Sequence, residues 1–148
     1  MADERYMREA LELAARGAAR GEVPVGAVVA MAGEIVGRGC NSPVACNDPT
    51  AHAEILALRE AAARIGNYRL ENAALYSTLE PCAMCAGALV AARVGRLVFG
   101  ARDLRFGGVR SKFQIADSDL LNHRVEVVEN VLAVECVELL REFFEKRR

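Results

Sequence analysis

Hydrophobic and polar positions follow two different periods along the chain, and the changes of period mark the predicted elements. In the first twenty residues apolar side chains recur every three or four positions, which predicts a helix over 3–20. The same spacing predicts a closing amphipathic helix over 132–144. Shorter apolar runs predict strands over 23–30 and 34–39, which a tight turn at Gly33 joins into a hairpin.

The middle of the chain predicts helices that alternate with strands. Residues 41–49 are rich in Asn, Pro and Asp, which is typical of a loop, and a helix is expected from the end of that loop to about residue 65. A helix over 82–92 lies between strands over 74–78 and 96–100, so these two strands should be parallel. A last short strand is predicted over 125–128. Helices between strands predict a mixed sheet that is covered on both faces.

The composition fits one folded domain. At 148 residues the chain is long enough to bury a core without disulfide bonds, and a single domain over 1–148 is expected. Hydrophobic residues make up 53% of the chain and charged residues 26%, a balance that excludes a disordered or fibrous protein. No apolar run reaches the roughly 20 residues that a membrane span needs, and no secretion signal is visible at the start. We therefore expect a cytoplasmic protein that does not bind membranes.

The net charge of −1 hides an uneven distribution. Residues 93–124 contain seven basic and three acidic residues, so this segment carries +4 while the rest of the chain carries −5. Such a segment could contact a polyanion, and it could equally be a solvated face that is rich in arginine.

The cysteines point to metal binding. Five cysteines form an odd set in a chain without a secretion signal, so a disulfide framework is not expected. Cys82 and Cys85 lie three residues apart at the start of a predicted helix, where they share a face and where the helix terminus favours thiolates. With His52 they form a set of three ligands that suits zinc, and the open fourth position is typical of a catalytic site. One zinc ion is expected per subunit, and the other cysteines should be packing residues: Cys40, Cys46 and Cys136.

Glu54 would make this metal site catalytic, because a zinc-activated water needs a carboxylate that takes and returns its protons. The residue follows His52 by two positions, and Pro81 directly precedes Cys82. Each motif is common by chance, but the combination is specific. The alternative is two inert thiols, a solvated glutamate and a histidine at a helix start.

On these residues the chain resembles the bacterial tRNA-specific adenosine deaminases of the cytidine deaminase superfamily. The zinc motifs, at 48–54 and 78–87, are shared across the superfamily, including guanine and cytosine deaminases. Phe-Gly-Ala-Arg-Asp at 99–103 and Asn-His-Arg-Val at 122–125 are similar more narrowly to the tRNA enzymes. The segment 106–113 departs from the smaller, more apolar version that is typical of the family.

The resemblance implies a three-layer α/β/α fold with a five-stranded mixed sheet, and a homodimer whose two subunits hold a tRNA anticodon loop. It implies that Asn41 hydrogen-bonds the flipped base and that Asp103, Asn122 and His123 contact anticodon nucleotides. Phe144 should lie near the loop. Local interpretations stay open for these residues: a loop cap for Asn41, a turn cap for Asp103, a side-chain to backbone bond for Asn122 and core packing for Phe144.

The hypothesis for function is hydrolytic deamination of the wobble adenosine to inosine, with water attacking C6 and Glu54 as the proton shuttle. A deaminase of free guanine, cytosine or their nucleosides would share the metal site. A non-catalytic zinc subunit that binds RNA is a further alternative, although such a subunit would be expected to lack Glu54.

Overall fold

The structure is a computed structural model that describes residues 2–147. These residues form five helices and five strands in the order α1 Ala2–Ala19, β1 Gly26–Met31, β2 Glu34–Cys40, α2 Pro43–Cys46, α3 Ala53–Ile65, β3 Ala74–Leu79, α4 Ala83–Ala91, β4 Arg96–Ala101, β5 Glu126–Val128 and α5 Ala133–Glu145. Every strand that the hydrophobic pattern predicts is present. No helix within this part of the chain combines the length and apolar character of a bilayer span.

The strands form one mixed sheet in the order β2-β1-β3-β4-β5. β1 pairs antiparallel with β2, as the hairpin prediction requires, and it also pairs antiparallel with β3. β3 and β4 are parallel, and β5 adds a parallel edge strand. The five-stranded mixed sheet is therefore confirmed, including the parallel pair on either side of α4.

Alternation along the strands divides the apolar residues between two faces, as a period of two requires. In β1, Ala27 and Val29 contribute to a cluster with residues of α3 and α4. Val28 and Ala30 contribute to a second cluster with residues of α1 and with Cys136 of α5. Helices therefore cover both sides of the sheet, which confirms the three-layer α/β/α arrangement.

Two glycines let α3 approach the sheet closely. A Cβ on Gly37 would lie 2.9 Å from the backbone nitrogen of Ala61, and one on Gly39 would lie 2.9 Å from that of Ala57. Only hydrogen fits at these two positions of β2, so the backbone of α3 rests directly on the strand. This contact fixes the height of the first turn of α3, which carries part of the candidate site.

The segment before α3 differs from the prediction. Within the predicted loop 41–49, Pro43–Cys46 forms the short helix α2, because the Glu22 carboxylate accepts the N–H groups of Val44 and Ala45. The next helix begins at Ala53 rather than at Pro49, with His52 as its extended N-cap. Asp48 accepts hydrogen bonds from the backbone and hydroxyl of Thr50 and so holds those residues in a turn.

The packing prediction for the three remaining cysteines is only partly confirmed. Cys136 is buried between α5 and β4, and Cys40 is half-buried at the end of β2. Cys46 is exposed, so the prediction was wrong there. It lies at the end of α2, a helix that the sequence pattern did not indicate.

Candidate active site

Two helix N-termini bring three metal-binding atoms together. His52 is the N-cap of α3, and Cys82 is the N-cap of α4. The Nδ1 atom of His52 lies 3.6 Å from Sγ of Cys82 and 3.5 Å from Sγ of Cys85. All three donor atoms lie within 4.8 Å of one another. The side chains that the sequence predicts as ligands therefore converge on one point.

The spacing of these atoms fits zinc. A tetrahedral site with Zn–S of about 2.3 Å and Zn–N of about 2.0 Å places sulfur and nitrogen about 3.5 Å apart. Two sulfurs and one imidazole nitrogen are also the donor types that zinc prefers over magnesium or calcium. The geometry and the chemistry of the donors thus agree with the sequence-based expectation of a zinc centre.

The two thiols behave as a coupled pair that holds one negative charge. Hydrogen bonding from Cys85, assisted by His52, lowers the pKa of Cys82 to about 4 despite partial burial. The adjacent Cys82 and burial raise the pKa of Cys85 well above its ordinary value. A second thiolate at this site therefore needs a cation to compensate it, which is the demand that a divalent ion meets.

Glu54 lies in the first turn of α3, two residues after the histidine ligand, and its side chain is only 4% exposed. Burial raises the pKa of Glu54 to about 7, although nearby hydrogen bonds and the charge of His52 act in the opposite direction. The Cys85 side chain is among its hydrogen-bonding neighbours. A buried carboxylate beside the metal donors can exchange protons with a water molecule held between them.

His52, Cys82 and Glu54 line one cavity of about 450 Å³, and Cys85 is fully buried. Its walls combine apolar side chains with a few polar groups, the composition of a small-molecule site. The lining residues are Val23, Val25, Asn41, His52, Glu54, Leu79, Glu80, Cys82, Asp103 and Phe106. A planar base could enter this cavity with its edge toward the metal donors.

Asn41 and Asp103 reach the cavity from loops on opposite sides. The backbone N–H of Asn41 donates to the carbonyl of Val25, which fixes the chain just after β2. Asp103 follows β4, and its Oδ1 accepts the N–H groups of Arg105 and Phe106 at 3.1 Å each. Two of the residues expected to bind substrate therefore lie in the same cavity as the metal donors and Glu54. The turn that Asp103 caps also matches its local interpretation.

The other expected contact residues lie elsewhere. Among residues 2–147, the cavity lining does not include Asn122, His123 or Phe144. The carbonyl oxygen of Asn122 accepts a hydrogen bond from Arg93, and Nε2 of His123 lies 2.7 Å from the carbonyl oxygen of Val94. Phe144 is 49% exposed on α5, with its ring edge-on to Phe143. A ligand that contacts these residues must extend well beyond a single base.

Sequence reasoning missed two residues at the cavity. Phe106 is 61% exposed, although it lines the wall, and the Arg105 guanidinium lies 5.3 Å from the centre of its ring. Glu80 is a charged residue that is 2% exposed, directly before Pro81. The available signals were an aromatic residue at the start of the divergent segment 106–113 and a carboxylate at the end of an apolar strand.

Comparison with known proteins places these features in context. Residues 1–101 match the model of the cytidine and deoxycytidylate deaminase zinc-binding region. A tRNA-specific adenosine deaminase from Haemophilus influenzae is 54% identical over 147 residues, which cover 99% of this chain and 85% of that protein.

Solved structures give the same result for the fold. A structure from work on tRNA:A34 deaminases, which edit A to I at the wobble position of transfer RNA, aligns with a TM-score of 0.89 and 40% identity, covering 92% of this chain and 99% of the other. A guanine deaminase from Nitrosomonas europaea aligns with a TM-score of 0.82 and 29% identity, covering 95% of this chain and 83% of the other. The fold is thus common to deaminases of different bases.

Proposed function

This chain belongs to the cytidine and deoxycytidylate deaminase zinc-binding family, within the tRNA-specific adenosine deaminases, and we propose that it hydrolyses the wobble adenosine of a tRNA anticodon loop to inosine. The observation that carries the proposal is the convergence of three zinc donors, two of which line a single cavity together with a buried carboxylate. The 54% identity to a tRNA-specific adenosine deaminase supports the choice of substrate.

His52, Cys82 and Cys85 would hold the zinc ion, since their donor atoms have the spacing of three corners of a tetrahedron. Bound zinc supplies Lewis acidity that lowers the pKa of water toward neutrality, so that a nucleophile is available without strong base. The N-terminus of α4, where both cysteines lie, favours the anionic form of the sulfurs.

Glu54 carries the proton transfers. Its carboxylate accepts a proton as the oxygen of water attacks C6 of adenine, and it delivers that proton to N1. The carboxylate then takes the proton that remains on the C6 oxygen and delivers it to the amino nitrogen, so the C6–N bond breaks, ammonia leaves and the C6 carbonyl forms. Adenosine and water are thereby converted to inosine and ammonia. The buried position of Glu54 keeps bulk water from competing for these protons.

The cavity limits the substrate to a base that has left its stack. Its volume of about 450 Å³ suits one extruded nucleoside, and anticodon loops present unpaired bases at low cost. Asn41, Asp103 and Phe106 line the cavity. In this proposal Asn41 hydrogen-bonds the edge of that base, and Asp103 and Phe106 contact the flanking nucleotides. Asn122, His123 and Phe144 contact more distant parts of the anticodon loop in this proposal, helped by basic side chains such as Arg93.

The proposal also covers the assembly. Residues 1–148 act as one catalytic domain, two copies form a homodimer, and the protein works in the cytoplasm, where its RNA substrate is found. Support for the homodimer comes from an apolar groove of about 300 Å³ between α3 and α4, lined in part by Ile55, Leu58 and Tyr68. Tyr68 is 72% exposed in the single chain.

The test is inosine formation in a synthetic anticodon stem-loop with adenosine at the wobble position, measured by mass spectrometry after nuclease digestion. We expect conversion of this adenosine and none in a loop whose only adenosine has been moved into the stem. Free guanine, cytosine and their nucleosides, assayed for ammonia release, are the competing substrates. Deamination of one of these without conversion of the stem-loop would reject the proposed substrate in favour of a free-base enzyme.

A further inference from the structure

Glu80 is a buried carboxylate that the proposed chemistry leaves without a role. It lies between the end of β3 and Pro81, and it is 2% exposed. Its two carboxylate oxygens accept five hydrogen bonds. The group therefore serves as an acceptor, and its partners indicate its purpose.

All hydrogen-bond partners of the Glu80 carboxylate lie in residues 103–111. We name this stretch the rim segment because Asp103 and Phe106 line the cavity. Oε2 accepts the backbone N–H groups of Val109 at 3.1 Å, Arg110 at 2.7 Å and Ser111 at 3.0 Å. Oε1 accepts the N–H of Asp103 at 3.0 Å and the hydroxyl of Ser111. One carboxylate thus holds both ends of the rim segment.

The rim segment also rests on the backbone that carries the metal ligands. Gly108 donates its N–H to the carbonyl of Pro81 at 2.8 Å, and Gly107 forms an isolated β-bridge with Cys82. A Cβ on Gly108 would lie 2.7 Å from the nitrogen of Ala83, and a Cβ on Gly107 would clash with the Glu80 carboxylate. The two glycines are the residues that permit this close packing.

The hydrogen bond between Glu80 and Asp103 fixes how the exposed part of the rim segment leaves β4. The backbone N–H of Asp103 donates to Oε1 of Glu80, and the Asp103 side chain accepts the N–H groups of Arg105 and Phe106. A shift at Asp103 therefore moves Phe106 as well. The described hydrogen bonds of Glu80 do not involve Glu54 or the metal ligands.

We propose that Glu80 is a positioning residue that fixes Asp103 and Phe106 at the mouth of the cavity for contact with the substrate RNA. The inference rests on the proposed function. Glu80 does not touch the reacting atoms, since both of its oxygens are occupied by the rim segment. Its effect should therefore fall on substrate binding rather than on the chemical step.

The test is Glu80→Gln, which keeps the shape of the side chain but replaces one acceptor oxygen by a donor. The amide oxygen should face the three N–H groups of residues 109–111, which leaves the amide nitrogen opposed to the N–H of Asp103. We expect the KM for the stem-loop to rise about tenfold, as the loss of a charge-assisted hydrogen bond implies, with kcat within about twofold. The matched control is Glu12→Gln, an exposed carboxylate on α1 that makes no side-chain hydrogen bond or ion pair with residues 2–147, and it should leave both constants unchanged.

A double-mutant cycle with Asp103→Ala separates positioning from general support of the fold. If Glu80 acts through Asp103, the Gln substitution should add less than about twofold to the KM of the Asp103→Ala protein. Independent effects that multiply would overturn the proposal. A fall in kcat together with zinc content would overturn it too, because Glu80 would then support the metal site.

A measurement without substrate keeps this test separate from the proposed function. Amide hydrogen exchange of the zinc-loaded protein should quicken at Asp103, Arg105 and Phe106 in Glu80→Gln and stay unchanged in α3. Unchanged exchange in the rim segment would overturn the inference even if the wild type deaminates the stem-loop. A wild type that deaminates no RNA, with faster exchange in the variant, would reject the proposed function while leaving the holding role of Glu80 supported.

Discussion

Burial and charge are in conflict at Glu54, and this conflict reveals the function of the residue. Burying a charged carboxylate costs free energy. At Glu54, which is 4% exposed, this cost appears as a pKa that burial raises to about 7. A fold without a use for the group would gain stability from an apolar side chain there. The neighbouring sulfur and imidazole donors supply the reason for keeping a carboxylate.

Replacing Glu54 by Gln should therefore remove activity without removing the site. We expect kcat for the stem-loop to fall by roughly 10³-fold or more, because general acid-base catalysis alone contributes about 10² to 10⁴ and one group serves several transfers. Zinc content and the far-ultraviolet spectrum should match those of the wild type. Glu12→Gln, at an exposed position of α1, is the control for a Glu to Gln change. A Glu54→Gln protein that keeps a tenth of the wild-type kcat would reject the proton-shuttle role.

The sequence predicts the residues of the metal site better than those of its surroundings. His52, Glu54, Cys82 and Cys85 are recognisable because each pair lies within one helical turn, so local spacing fixes the relative positions. The role of Glu80 depends on N–H groups more than twenty residues away along the chain. Only the folded structure shows such a partnership, because nothing in local periodicity encodes it.

At the scale of elements, the height of α3 above the sheet sets the position of the first helical turn of the site. β2 carries glycine at 37 and 39, where the helix backbone comes closest. A Cβ on Gly39 would clash with the carbonyl oxygen of Ala53 and would lie 2.9 Å from the Cβ of Leu56. Because Ala53 lies between His52 and Glu54, a displaced helix would move both functional residues.

Gly39→Ala should reduce stability and activity together. We expect the free energy of unfolding, from urea titration followed by circular dichroism, to fall by about 3 kcal/mol, since backbone atoms cannot yield as a flexible side chain does. Zinc content should fall as well. In Gly95→Ala the nearest atom would be 3.5 Å from the new Cβ, so that variant should lie within about 1 kcal/mol of the wild type. Equal stabilities for the two variants would contradict the close-packing interpretation.

The type of an element could be predicted where the hydrophobic pattern of neighbouring residues determines it. All five strands and the long helices follow from alternation or helical spacing, and the parallel β3–β4 pair follows from the helix between them. The short helix α2 could not be predicted in this way, because the Glu22 carboxylate that holds it lies on a distant segment. The late start of α3 depends on the turn at Asp48 and Thr50, a side-chain effect that the hydrophobic pattern does not contain.

At the scale of the whole molecule, an ion pair ties the first helix to the sheet. The two terminal guanidinium nitrogens of Arg96 on β4 donate to the carboxylate of Asp3 on α1 at 2.8 Å, and the hydroxyl of Tyr76 on β3 donates to the same carboxylate. The bond from Arg96 is the main cause that lowers the pKa of Asp3 below its ordinary value of 3.8, with burial acting against it. The contact links three elements that are far apart in the chain.

The sign of this pKa shift predicts how stability depends on acid. A lowered pKa means that the folded state favours the charged carboxylate, so the stabilisation is complete above pH 3.8 and is lost as the pH falls through the lower folded value. Asp3→Asn should be about 1 kcal/mol less stable than the wild type at pH 7, a typical magnitude for a partly exposed pair. The difference should shrink between pH 5 and 2. Asp119→Asn, at an exposed position, serves as the control. If the stability difference between Asp3→Asn and the wild type stays constant down to pH 2, the ion-pair role of Asp3 is contradicted.

Removing zinc tests whether the metal is part of the fold as well as of the chemistry. His52 lies at the start of α3, and Cys82 and Cys85 lie at the start of α4, so a bound ion would join the N-terminal ends of two helices. A ligand at about 1,000 times its Kd stabilises by about 4 kcal/mol, and a domain of this size shifts by about 2–4 °C per kcal/mol. Chelation should therefore lower Tm by roughly 10 °C and abolish deamination, and added Zn²⁺ but not Mg²⁺ should restore both, because sulfur and imidazole donors bind magnesium weakly. In Cys85→Ala the chelator should leave Tm unchanged, since the metal site is already lost. If the chelator removes the metal from the wild type without changing its Tm, packing alone holds the starts of the two helices in place.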